Sequence, residues 1–450
     1  MKKRVIALTL LTAIALSACG EHEPYIEVPE KKQAAEPAEN TQVEIPYSGS
    51  DNSQELTKDI ATLTAPPSQA GEEQISALSG AGTRLFAQTV AGEGEDSNVL
   101  ISPISVAMAF GMAEGGANGT TLSQMEDVIG GGNTTDEMSA LLYGLSKGMK
   151  NSSEADWNVA NSIWFKDDGT WEIGQEFARK AASWYDAQLW KAPFDDTTVA
   201  DINAWVNSQT RGMIPGIIDS ISDEARMYII NALAFEAEWM QEYEEDRIFE
   251  DMDFTNADGS KSKVTMLYSD ESGYFELCGG TGFLKKYKGG EYSFMGLLPA
   301  EGTDLDDYIK TLGDNGADIS SAIRNINYGD VVAEIPEFTI DYSAEMSELL
   351  KSMGMTDAFE RSQADLSGIM HPLNGDGCEV WIEGVVHKTH IEVDRKGTRA
   401  AAVTELAVAG CDCVEEYIPP VYVILDRPFI YGIIDNATGL PIFLGCMNQM

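Results

Sequence analysis

Apolar and polar positions divide the chain after about residue 75 into segments with helical spacing and segments typical of strands. The pattern predicts helices over residues 74–90, 173–185, 305–312 and 344–352, and two more that end at Glu114 and Val128. Apolar runs predict buried strands over residues 157–165, 228–235 and 331–340. Because no linker, repeat or low-complexity break interrupts residues 75–450, the pattern predicts a single α+β domain there.

One stretch, residues 398–409, has the character of both a strand and a loop. On strand alternation one face is uncharged throughout, while the other face carries Arg399 and Glu405. The uncharged face consists of Thr398, Ala400, Ala402, Thr404, Leu406 and Val408. A strand buried on one side has this pattern, yet the segment runs on into Gly410, Cys411, Asp412 and Cys413, which are typical of an exposed loop.

The residues around this stretch resemble one protein family. Gly397-Thr398 followed by Ala400-Ala401-Ala402 is similar to the hinge of the reactive-centre loop of serpins, inhibitors that trap serine proteases. His387-Lys388 resembles the start of the strand that feeds this hinge. Residues 426–431 and 435–445 resemble the C-terminal strands of the family. An Ala-rich linker is the alternative for the hinge alone, and the flanking matches disfavour it.

Further motifs of the family occur in the same order upstream. They are Asn98-Val99 with Ser102-Pro103 and Ser105, Gly116-Ala117 with Gly119, Trp205-Val206 with Thr210, and Asn231 with Phe235 and Trp239. The resemblance therefore covers residues 75–450. It implies the serpin fold, with three β-sheets, about eight to nine helices and an exposed reactive-centre loop over about residues 395–420.

The resemblance also implies a mechanism and a partner. A serpin is cleaved by its target, and the freed hinge then inserts into the central sheet while the protease is held as an acyl-enzyme. Counting from Gly397 as in the family places the scissile bond at Cys411-Asp412. This loop is longer than in familiar members, so Val408, Ala409, Gly410 and Cys413 remain alternatives. Since these residues are small and no Arg or Lys lies between Arg399 and Arg427, an elastase-like serine protease is the expected partner.

Two sets of residues have roles that the resemblance implies. Ser102, Ser105, Asn231 and His387 correspond to the shutter behind the central sheet. Members of the family commonly pair a Glu at the base of the hinge with a Lys in a neighbouring strand. Arg395 and Glu337 stand at those positions here, and we predict a charge-reversed clasp that keeps the sheet closed until cleavage.

The first 74 residues do not belong to the predicted domain. Residues 1–18 have a basic start and an apolar run, and Leu16–Gly20 resembles a bacterial lipobox that would place a lipid on Cys19. Residues 19–74 hold 12 acidic residues against 3 lysines, and prolines are scattered among them. This composition predicts a disordered tether. We therefore expect an exported protein, lipid-anchored to the outer face of a bacterial membrane through Cys19 alone.

Composition excludes several other functions. A net charge of −43 leaves no basic stripe for nucleic acid. On a strand His387 and His390 point to opposite faces and cannot chelate one metal ion together. We find no catalytic constellation, and we expect no metal or other cofactor and a monomeric protein. The runner-up function is a non-inhibitory serpin-fold binding or surface protein, which would be cleaved without trapping the protease.

Overall fold

The computed structural model describes residues 47, 50, 52–68, 70–94, 96–222, 224–373, 380–398 and 419–450. These residues form nine α-helices, two short 3-10 helices and three β-sheets. The α-helices are α1 Glu72–Gly92, α2 Pro103–Glu114, α3 Gly119–Val128, α4 Thr135–Asn151, α5 Gln175–Trp184, α6 Asp196–Gln209, α7 Leu305–Asp314, α8 Ile319–Arg324 and α9 Ser347–Ser352. The 3-10 helices are Glu245–Arg247 and Asp357–Phe359.

The strands account for the other half of the α+β fold. They are β1 Gln54–Glu55, β2 Val99–Ile101, β3 Ala155–Lys166, β4 Trp171–Ile173, β5 Gln188–Ala192, β6 Met227–Glu238, β7 Ile248–Thr255, β8 Lys261–Leu277, β9 Gly280–Lys286, β10 Tyr292–Leu298, β11 Asn327–Pro336, β12 Phe338–Glu345, β13 Met370–Pro372, β14 Gly384–Val393, β15 Gly397–Thr398, β16 Val421–Ile424, β17 Phe429–Asp435 and β18 Pro441–Met447.

The central sheet has seven strands in the order β1-β5-β3-β6-β15-β14-β12. β6 and β14 pair directly and in parallel over six residues each, from Gly384 opposite Tyr228 to Thr389 opposite Leu233. At the C-terminal ends of both strands, near Ala237 and Val393, β15 lies between them and is antiparallel to both. We call this the upper end. We call this boundary between β6 and β14 the central gap.

A nine-stranded sheet packs behind the central sheet, and its long strand β8 joins two halves. One half follows β9-β10-β17-β18-β2, and the other contains β7, β11 and β16. The sequence predicts a single strand over residues 331–340, but the structure divides this run between the two large sheets. β11 ends at Pro336 and β12 begins at Phe338, so Glu337 lies at the crossing.

Helix α2 lies in the core between the sheets. Every residue from Pro103 to Glu114 is buried, as expected for a helix that is apolar on all sides. Pro103 occupies its first turn, and the Ser102 side chain caps the helix by accepting a hydrogen bond from the Ser105 N–H. In the described residues no helix is both long enough and apolar enough to cross a membrane.

The predicted tether over residues 19–74 is too long at its C-terminal end. Gln54–Glu55 pair with β5 at the edge of the central sheet, and helix α1 already begins at Glu72. Leu56, Ile60 and Leu63 pack against the core. The acidic average of the whole stretch concealed these few apolar residues, which bury surface and hold this part of the chain on the domain.

Candidate functional site

The hinge begins inside the central sheet rather than above it. Gly397 and Thr398 pair with Glu238 and Ala237 of β6, and Thr398 also pairs with Val393 of β14. Thr398 is fully buried, and its hydroxyl shares a hydrogen bond of 2.6 Å with the Tyr287 hydroxyl. Burial raises the pKa of Tyr287, so its phenol stays protonated and can donate.

A turn over residues 394–396 connects β14 to the hinge and is held by Trp239. The indole Nε1–H donates to the Asp394 carbonyl at 2.9 Å, and the backbone N–H of Trp239 donates to the Lys396 carbonyl at 2.9 Å. The Asp394 carboxylate accepts from the N–H groups of Lys396 and Gly397 at 2.7 and 3.0 Å. The Trp239 ring stacks on Tyr287 at 4.6 Å between centroids, so one aromatic pair supports both the turn and Thr398.

Arg395 and Glu337, predicted to form a clasp, are in direct contact. The guanidinium donates from Nε to Oε1 at 2.9 Å and from Nη2 to Oε2 at 3.1 Å. The backbone N–H of Arg395 also donates to Oε1, at 3.1 Å. This hydrogen bonding raises the pKa of Arg395. Because Glu337 stands between β11 and β12, the ion pair ties the hinge turn to both large sheets; that it keeps the sheet closed remains a prediction.

The predicted shutter residues lie at the middle of the central gap, on its core side, where the start of α2 contacts β14. The Ser102 N–H donates to His387 Nε2 at 2.9 Å, and the Ser102 hydroxyl donates to the Ile442 carbonyl at 2.7 Å. Asn231 lies opposite His387 in the β6–β14 ladder. Burial lowers the pKa of His387 to about 4, so this histidine is neutral at physiological pH.

Two residues of this region were not singled out from the sequence. Asn161 on β3 accepts a hydrogen bond of 2.5 Å from Asn231 and donates to the Tyr185 carbonyl at 2.8 Å. Tyr287 follows β9 and receives the hinge threonine. Neither residue carries a local sequence signal, since each acts through partners more than twenty residues away along the chain.

Several predicted residues lie outside the described part of the chain. They are the lipid-anchor Cys19, the hinge residues Ala400, Ala401, Ala402 and Thr404, and the scissile-bond candidates Val408, Ala409, Gly410, Cys411, Asp412 and Cys413. His390 points away from the core and pairs with Asp341 at 2.8 Å, while His387 on the opposite face is buried. Within the described ranges no cluster of His, Cys, Asp or Glu could hold a metal ion.

Comparison with known proteins identifies the arrangement. The family model described as Serpin (serine protease inhibitor) matches residues 76–450. Neuroserpin from Gallus gallus is 27% identical over 372 residues, which are 78% of this chain and 86% of the relative. Leukocyte elastase inhibitor A from Mus musculus is 28% identical over 391 residues, covering 82% of this chain and 98% of the relative. The crystal structure of tengpin, a thermophilic serpin, in the native state superposes with a TM-score of 0.79 at 36% identity, covering 89% of this chain and 100% of tengpin.

Proposed function

The chain belongs to the serpin family, and we propose on this premise that it is a suicide-substrate inhibitor of serine proteases. The protease attacks the scissile bond and forms an acyl-enzyme. The segment released after Thr398 then enters the central gap as a new strand, and the attached protease is carried along and trapped.

The placement of Gly397–Thr398 is the observation that carries this proposal. Both residues already pair with β6, and Thr398 also pairs with β14 on its other side, in the direction that an inserted strand needs. Insertion after cleavage therefore extends an existing strand and does not have to nucleate a new one. Each further residue that enters separates β6 from β14 and pairs with both of them. One hydrogen-bond ladder is thereby replaced by two, one on each side of the entering strand.

The strands bordering the gap set how much of the loop can enter. Continuing the present antiparallel register places Ala400 opposite Phe235 and Val408 opposite Met227, the first residue of β6. Partners thus exist for the eleven residues from Thr398 to Val408. With roughly 1 kcal/mol for each residue that gains ladder bonds and burial, insertion releases on the order of 10 kcal/mol.

The same register supports a scissile bond beyond Val408, and we propose Cys411-Asp412. A cut at this bond leaves the whole insertable segment attached to the domain. The small residues around this bond, Gly410, Cys411 and Cys413, fit the shallow specificity pocket of an elastase-like protease. The resemblance to leukocyte elastase inhibitor A is consistent with this target class.

For localisation we propose export and attachment to a membrane through a lipid on Cys19. The lipobox-like run Leu16–Gly20 supports this proposal. Cells expressing the full chain with a clickable palmitate analogue should yield a labelled protein, and Cys19→Ala should abolish the label. Equal labelling of both forms would contradict the anchor.

The protease proposal is tested by mixing residues 47–450 with an elastase-type serine protease and running a denaturing gel. We expect a band at the summed mass that is absent when the protease active site is blocked, and mass spectrometry of the released fragment locates the cut. Cleaved inhibitor beside fully active protease, for elastase-, chymotrypsin- and subtilisin-type enzymes alike, would favour the non-inhibitory serpin-fold protein.

A matched pair of variants separates insertion from mere cleavage. Ala402 belongs to the uncharged face that enters the core, whereas Ala401 belongs to the opposite face. Ala402→Glu should convert the inhibitor into a substrate because a charge would be buried without a partner. Ala401→Glu should still form the covalent complex. Equal trapping by both variants would contradict insertion in this register.

A further inference from the structure

A largely buried ion pair of the nine-stranded sheet lies next to the end of β6. Nζ of Lys285 on β9 is 3.4 Å from Oε1 of Glu271 on β8, and the two side chains are 5% and 16% exposed. Burial lowers the pKa of Lys285 and raises the pKa of Glu271, while their mutual attraction opposes both shifts. Taking two charges out of water offsets most of what their attraction contributes, so the pair adds little net stability. Any role of the pair therefore concerns the groups packed against it.

The ammonium group of Lys285 lies against two aromatic rings. Its Nζ is 4.3 Å from the ring centroid of Tyr243 and 5.4 Å from that of Trp239. The two rings are nearly perpendicular, with centroids 6.3 Å apart. A cation is attracted to the face of an aromatic ring, and most strongly where water is excluded. Lys285 therefore joins both rings to the carboxylate of Glu271.

All three carbonyls of the hinge turn over residues 394–396 accept hydrogen bonds from Trp239 or Tyr243. Trp239 donates to the first carbonyl through its indole Nε1–H and to the third through its backbone N–H. The backbone N–H of Tyr243 donates to the second, the carbonyl of Arg395, at 3.5 Å. The rings that Lys285 contacts thus belong to the two residues that hold the turn.

These contacts link the hinge turn to the sheet that the loop does not enter. β8 and β9 are neighbours in the nine-stranded sheet, whereas the turn connects β14 and β15 of the central sheet. The clasp between Arg395 and Glu337 holds the same turn from its more exposed side. The turn is therefore supported by one ion pair at the surface and by a second one in the interior.

We propose that Lys285 is a positioning residue for the hinge turn. Through the rings of Trp239 and Tyr243 it keeps the turn where Gly397–Thr398 can pair with β6, and Glu271 holds the ammonium group against the rings. The inference deepens the proposed function and rests on it, because insertion after cleavage starts from these paired residues. A turn without this support delays insertion, and more of the acyl-enzyme then hydrolyses before it is trapped.

Hydrogen exchange of the uncleaved protein, measured by mass spectrometry, tests the positioning without any protease. The backbone N–H of Trp239 donates to the Lys396 carbonyl, so its exchange rate reports how often the turn leaves its place. The double variant Lys285→Leu/Glu271→Gln removes the cation without leaving a buried carboxylate unpaired. We expect the Trp239 amide of this variant to exchange roughly tenfold faster than that of wild type.

A second cation with the same kinds of partner supplies a matched control away from the hinge. Nζ of Lys191 is 5.0 Å from the ring centroid of Trp171 and 2.8 Å from a carboxylate oxygen of Asp167. Lys191 pairs with Phe165, at the end of β3 that is remote from the hinge. Lys191→Leu/Asp167→Asn should leave the exchange rate of the Trp239 amide at the wild-type value.

Two exchange results would overturn the inference. One is an unchanged Trp239 rate in Lys285→Leu/Glu271→Gln. The other is an equal acceleration in both double variants, which would show a general loss of stability.

The consequence for inhibition is read on the denaturing gel with an elastase-type protease. Lys285→Leu/Glu271→Gln should yield several-fold more cleaved inhibitor for each covalent complex than wild type. An unchanged ratio would contradict the role of Lys285 in insertion. A wild-type protein that forms no covalent complex would instead refute the proposed function, and hydrogen exchange would still decide whether Lys285 positions the turn.

Discussion

At its upper end the central gap contains Gly397–Thr398 between β6 and β14. In its middle, where Asn231 lies opposite His387, the two strands pair directly. The upper end carries the ion pair of Arg395 and Glu337, whose side chains are 43% and 23% exposed. The middle is neutral and buried, and two of its polar atoms lack partners in the described structure.

Under the proposed inhibitory function, insertion starts at the end of the gap where Thr398 already has its partners. The hydrogen bonds of the hinge turn and of Thr398 are already made at the upper end, so little remains to be gained there. At the shutter, by contrast, the buried groups are neutral, and protonation of His387 would place a charge there. Solution conditions should therefore affect the two regions differently, with salt and charge acting at the clasp and pH acting at the shutter.

The largest expected effect concerns pH and His387. Its pKa falls from 6.5 in the unfolded chain to about 4 in the folded protein. Between these values the unfolded state binds a proton that the folded state does not. The free energy of unfolding should therefore decrease as the pH falls from 6.5 to 4, by about 3 kcal/mol in total.

Denaturant titrations of wild type and His387→Gln across this pH range measure the contribution as the difference between the two curves. His390→Gln is the control, since it removes a histidine from the other, less buried face of the same strand β14. Parallel curves for wild type and His387→Gln would show that the buried histidine does not control the acid sensitivity.

A smaller effect is expected at Gly397, where the hinge enters the sheet. A Cβ atom at this position would lie 2.2 Å from the Ala237 carbonyl oxygen and 2.8 Å from the Glu238 Cα. Gly397→Ala should displace the hinge or β6 and cost about 1–3 kcal/mol. The denaturation midpoint of the uncleaved protein measures this cost, and the fluorescence of Trp239 reports on the displaced turn.

Gly92→Ala is the matched control, because a Cβ there meets nothing within 4 Å. It should leave both the midpoint and the fluorescence close to those of wild type. If Gly397→Ala behaved in the same way, the close pairing of the hinge with β6 would be refuted.

The smallest effect on stability is expected at the clasp. Arg395→Glu replaces an attraction by a repulsion, yet solvent screening limits the change to about 1 kcal/mol or less. Its kinetic effect should be easier to see, as more polymer on a native gel after mild heating. Adding Glu337→Lys should restore wild-type behaviour, and 1 M salt should reduce the difference. Absence of rescue by the double variant would contradict the clasp.

The family and the approximate elements followed from the sequence because their signals are local. The alternation of residues 398–408 and the order of short motifs do not depend on which strands meet. The same local view missed the docking of residues 54–63, where a few apolar side chains are scattered in an acidic stretch. It also merged β11 with β12, since apolar residues continue on both sides of Pro336 and Glu337, where the chain crosses between the sheets.

The sequence by itself thus determined the family, and it predicted the uncharged face of the loop and the residues of shutter and clasp. Only the tertiary structure decided that Thr398 already lies between β6 and β14, that Tyr287 receives it, and that Asn231 lies opposite His387. These facts depend on strand register and on contacts between residues more than a hundred positions apart. Such contacts are fixed when the sheets pack together and leave no periodic trace along the chain.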